Sequence, residues 1–132
     1  MRTRTSAAVL CMTILAAAPV PPPTIADGTW GGDHVGATVS REGVHLEFDC
    51  AHGSIEGAVA LDADGRFDAS GVYVKEGPGP VRPETSAGRP ARFTGRIDGD
   101  AMTLDVVLSG SDAKVGTFTL QKDRLPRIHK CA

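Results

Sequence analysis

Aromatic side chains are scarce: one Trp, one Tyr and four Phe, 5% of the 132 residues. A wide barrel with a roomy, ring-lined cavity is therefore disfavoured, and any closed sheet this chain builds has to be narrow and packed by its own side chains. Sustained 3.6-residue periodicity is absent too, so helices are not the building blocks. No apolar run reaches the roughly 20 residues that a membrane-spanning helix requires; the nearest, residues 7–20, falls short of it. Positive charge is not in excess, with 14 Lys and Arg against 16 Asp and Glu, which argues against general nucleic-acid or anionic-membrane binding. There is no HExxH, no Ser-His-Asp order and no cysteine placed as a nucleophile, so the familiar hydrolase signatures are missing.

What is present begins with the layout of an export signal. Arg2 and Arg4 precede the apolar run, and Pro21, Pro22 and Pro23 end it, as in a secretory signal peptide. Small residues at Thr24 and Ala26 favour cleavage after Ala26, giving a signal over 1–26 and one domain over 27–132. Lipid attachment at Cys11 is the rival reading, but Leu10 stands before it where a lipoprotein signal needs a small residue. Cleavage leaves Cys50 and Cys131, and an exported pair with no third candidate is most simply a disulfide. Closing so long a loop is worth about 4–5 kcal/mol in the chain-entropy model. The expected location is secreted, periplasmic or cell-envelope.

Beyond the signal, runs of β-formers alternate with polar residues and are punctuated by turn dipeptides, which predicts an all-β domain. The first strand is expected over 29–40, interrupted by Gly31-Gly32, and Arg41-Glu42-Gly43 turns it into a second over 44–50. Val44, Leu46, Phe48 and Cys50 share one face of that strand, His45, Glu47 and Asp49 the other. Further strands are expected over 54–61, 66–75, 92–98, 102–108 and 115–122. Residues 76–90, rich in Pro and Gly, read as the one long loop. Seven or eight strands in succession favour a small antiparallel up-and-down barrel, whose closure removes exposed edges.

Gly28-Thr29-Trp30 at the start of the first strand resembles the G-x-W signature of lipocalins and the wider calycin group. The hairpin of residues 93–104 also looks like those of small lipocalin-like exported bacterial proteins, largely of unassigned function. The resemblance implies that Trp30 closes one barrel end and that a basic residue near the end of the last strand packs across it. Arg124 is the expected partner, with Arg127 and Lys122 as alternates, in a cation–π contact worth about 1 kcal/mol. The additional Trp residues of an avidin-type biotin pocket are missing.

One cluster stands out as chemistry-bearing: Asp33-His34 after the glycine pair, and Asp49 and His52 flanking Cys50. Pairing of the first two strands brings these near one another. Two imidazoles and two carboxylates suit a divalent metal or a His–Asp acid/base pair; the plain alternative is a solvated barrel rim. Asp62-x-Asp64-Gly65 lacks most ligands of a calcium loop and reads as a hairpin turn. Glu47 and Asp49, two apart, read as an outer solvated pair. The function expected is that of a non-enzymatic, cofactor-free, monomeric binding module. An unidentified small molecule or protein would be held at a mouth formed by Trp30, Asp33, His34, His52, Arg124 and the 76–90 loop. Two alternatives stand beside it: a protease-inhibitor-like protein inserting that loop, and a metal-binding protein or enzyme using His34 and His52.

Overall fold

The computed structural model describes residues 8–16, 20–77 and 88–131. Eight strands follow one another: β1 Gly28–Gly32, β2 Val35–Ser40, β3 Gly43–Phe48, β4 Ala51–Glu56, β5 Arg66–Lys75, β6 Arg89–Asp98, β7 Ala101–Leu108 and β8 Lys114–Lys122. Each pairs antiparallel with the next, and β1 returns to β8 through Trp30↔Lys122 and Gly31↔Gln121, so the sheet is a closed barrel. No helix among the described residues is long and apolar enough to cross a membrane. Residues 8–16 take no part in the barrel; Val9, Leu10, Ile14 and Leu15 lie exposed.

The inward face follows from alternation. Val44, Leu46 and Phe48 of β3, Met102, Leu104 and Val106 of β7, and Phe67, Phe93 and Leu120 are buried in one continuous core. Inward glycines lie beneath the rings that fill the interior. A Cβ on Gly71 would stand 2.9 Å from the Phe93 ring, and one on Gly95 2.7 Å from Phe67. A tightly curved sheet with few aromatics uses each ring where a neighbouring strand has given up its side chain.

Three departures from the sequence reading position everything else. The expected first strand is a hairpin: the chain turns at Asp33–His34, pairing Gly32 with Val35, and His34 takes the left-handed conformation at φ 69°. Cys50, at φ 53°, likewise belongs to the turn joining β3 to β4 and not to the strand face assigned to it. Arg89 and Pro90 lie in β6, opposite Tyr73 and Val72, so the long connection is shorter than 76–90. The prolyl nitrogen, which has no hydrogen to give, tolerates this place at the start of a strand. Residues 78–87 of that connection lie outside the described residues.

The chain end supplies a second layer. Residues 124–131 run back over the outside of β1 and β2, where Arg127 N–H donates to Gly32 O at 3.0 Å and His34 N–H to Arg127 O at 2.7 Å. Gly31 and Gly36 make this possible: a Cβ on Gly31 would collide with the backbone of Arg124 to Pro126, and one on Gly36 with the Pro126 ring. The tail ends bonded through Cys131 to Cys50, 81 positions away, with Cα atoms 4.9 Å apart. On the chain's entry side, Ile25 is buried, its N–H donating to Val59 O, while Leu61 N–H donates to Pro23 O. Packing on the barrel therefore begins at Pro23, upstream of the Asp27 start that cleavage after Ala26 would create.

Candidate functional site

An up-and-down barrel has two ends, with alternate connections at each. The β1–β2, β3–β4, β5–β6 and β7–β8 connections share the end that carries the disulfide, while the N-terminal segment closes the other. Trp30, 1% exposed, points into the core and donates its indole N–H to Ala26 O at 3.1 Å. It therefore belongs with the entry end, and the mouth expected from Trp30 together with the His residues and the long loop is not one site. The cation opposite Trp30 in the ladder is Lys122, one of the two alternates. Its side chain passes over Gly28 and reaches Asp123 at 3.1 Å. Arg124, the residue first expected there, directs its guanidinium to within 4.0 Å of Asp33.

The disulfide end collects the imidazoles, but in two networks. His34 Nδ1 lies 2.5 Å from Asp49 Oδ2, and the other Asp49 oxygen accepts the His129 backbone N–H at 2.7 Å. That backbone donor, with His34 beside it, holds the Asp49 carboxyl below its ordinary range. The His34 ring itself is exposed. In the second network Lys130 Nζ is gripped by Glu47 at 2.6 Å, Glu76 at 2.6 Å and the Ala51 carbonyl at 2.9 Å. Glu76 is lowered mainly by its bond from Lys130. At Glu47 burial opposes ionisation, yet Lys130 and His45 prevail and lower it as well. His45 lies 2.6 Å from Glu47, His52 lies 3.4 Å from Glu76, and the two rings are 6.3 Å apart in a near-parallel arrangement.

Of the four clustered residues, then, the fold joins His34 to Asp49 but sends Asp33 toward Arg124 and His52 to Glu76. Among the described residues no group of three or more His, Cys, Asp or Glu side chains is disposed to hold a metal ion. Glu76, His45 and Lys130 were not singled out with this cluster. His45 shares an outward face with Glu47, which alternation does show, whereas the arrival of the tail over that face has no local signal.

A further depression lies elsewhere, outside the barrel. A groove of about 820 Å³ runs over β5, β6 and β7 beside the β4–β5 connection. Its polar lining is Asp62, Arg66, Asp68, Thr94, Arg96, Thr103 and Asp105. Comparison with family models, curated proteins and solved structures returned no match, so no relative's activity bears on these surfaces.

Proposed function

We propose that the chain is an exported, non-enzymatic binding module that takes its ligand on the outside of the barrel. The observation that carries this reading is the chemistry of the interior: every buried side chain among the described residues is apolar, and none is polar or charged. Pockets that orient small molecules combine an apolar wall with a few converging polar groups. The interior here has the first and lacks the second, whereas the outer groove offers both charge signs and hydroxyls. The disulfide accords with export, and the closed eight-stranded barrel opening on Gly28-Thr29-Trp30 accords with the calycin resemblance.

The alternatives receive less support. A metal site shared by His34 and His52 needs the two imidazoles to converge, and each is instead paired with its own carboxylate. An inhibitor role rests on the long connection, most of which lies outside the described residues.

Ligand-observed NMR of the purified chain against a panel of polar metabolites tests the reading. Binders are expected to be lost in Thr94→Trp, whose indole occupies the groove, and kept in Phe48→Trp, which enlarges a ring at the disulfide end. Loss in the second variant and retention in the first would overturn it.

A further inference from the structure

We propose that Arg66 and Arg96 form a binding site for a tetrahedral oxyanion, a phosphate or sulfate group that is free or carried on a larger molecule. The proposal rests on the exterior-binding reading and names the chemistry of that groove. Arg66 and Arg96 are directly opposite one another on β5 and β6. Both backbone polar groups of Arg66 are engaged by Asp62: its N–H donates to Asp62 Oδ1 at 2.9 Å, and its carbonyl accepts from Asp62 N–H at 2.9 Å. Facing away from β6, they make Arg66↔Arg96 a non-hydrogen-bonded pair, the kind in which opposed side chains stand closest. Like charges directly opposite in a sheet are destabilising. A fold that keeps two guanidinium groups in that relation, neither in a direct ion pair among the described residues, leaves their donors available to a ligand.

No direct ion pair offsets the repulsion. Among the described residues neither guanidinium has a carboxylate within 4.0 Å, although three acids line the same depression. Each acid is already occupied. Asp62 Oδ1 also accepts the Asp64 N–H at 2.8 Å and so shapes the turn. Asp68 is held by Arg92 through Nε at 2.7 Å and through a second nitrogen. Asp105 accepts the Thr117 hydroxyl. Arg92, two positions from Thr94 on the same strand, thus has a forked carboxylate partner, and Arg66 and Arg96 have none.

The row containing the arginines continues across the sheet as Thr103 and Thr119, each opposite the next. Both threonines are exposed on the outer face, so their hydroxyls extend the line of donors. Oxygen count selects the ligand. Each guanidinium fork is satisfied by two acceptor oxygens; a carboxylate supplies one fork, while a tetrahedral oxyanion has enough for both.

The test uses inorganic phosphate, sulfate and acetate at matched ionic strength, followed through the Arg Nε–H resonances by NMR. Phosphate and sulfate are expected to shift Arg66 and Arg96 saturably. Arg66→Gln and Arg96→Gln should each weaken binding about tenfold or more, as loss of a charge-assisted bond implies. Arg41→Gln, in the turn between β2 and β3, should leave it within about twofold. Without anion both Arg→Gln variants are expected to melt no lower than the parent, because each relieves the repulsion. Glycerol phosphate binding tighter than inorganic phosphate assigns the site to an esterified ligand, and equal binding assigns it to the free ion. Acetate binding as tightly as phosphate, or the absence of saturable shifts at these two arginines, overturns the proposal. Should metabolite binding still be lost in Thr94→Trp, exterior binding survives and the oxyanion assignment alone fails.

Discussion

Removing residues 23–26 from the barrel is the perturbation with the most to reveal, because the sequence alone invites a signal-peptidase cut after Ala26. Ile25 is 4% exposed and Trp30 1%. Loss of a buried Ile side chain costs about 2–5 kcal/mol, transfer and cavity together. The cut also takes away the Ala26 carbonyl that accepts the Trp30 indole N–H, and a buried donor left unpaired costs about 1–3 kcal/mol. Water reaching the opened end offsets part of this, so a chain starting at Asp27 is expected to be about 3–6 kcal/mol less stable than one starting at Val20. Against a typical domain stability of about 5–15 kcal/mol that is a large fraction, and the melting temperature should fall by at least about 12 °C. Urea denaturation of the two forms measures the difference, with Ile25→Ala in the longer form separating packing from the hydrogen bond. A processed form, if the chain is exported, is correspondingly expected to begin upstream of Pro23, which intact-mass spectrometry reads directly. Midpoints for the two forms that agree within about 0.5 kcal/mol, at the usual resolution of such measurements, would refute the role given to this segment.

Two further outcomes concern the tail. Cys131→Ser opens a loop of 81 positions and is expected to destabilise the chain by up to about 4–5 kcal/mol; an unchanged denaturation midpoint in the variant would contradict it. Acid should loosen the tail even with the disulfide intact. Asp49 and Glu76, set low by the His129 N–H and by Lys130, titrate below their unfolded values, so their contribution is complete above the ordinary carboxylate range near pH 4 and is lost as pH falls through the lowered values. The His129 amide should lose exchange protection below about pH 4, and Asp49→Asn should remove that dependence. Protection with the same pH dependence in Asp49→Asn as in the parent, corrected for intrinsic rates, would count against the mechanism.

Local alternation carries most of the sheet. Val44-His45-Leu46-Glu47-Phe48 announces its own inner and outer faces, and Asp98-Gly99-Asp100 announces the hairpin between β6 and β7, because side-chain direction and turn chemistry depend on a few adjacent residues. The disulfide was legible for a different reason, since the signal expected over 1–26 would carry Cys11 away and leave only two cysteines to pair. The Asp33–His34 turn was missed because the adjacent Gly31-Gly32 looks like an interruption within a strand; those glycines serve instead to admit the tail on one side and β8 on the other.

What only tertiary structure decided is which distant groups meet. Arg66 and Arg96 become neighbours through the register of two strands joined by a long connection, and no local pattern sets that register. The same holds for Lys130, carried by the returning tail to Glu47 and Glu76, and for the separation of His52 from His34. Alternation tells each residue whether it faces in or out, but the partner it faces follows from barrel closure and from the path of the chain end, both of which are settled by the packing of the whole core.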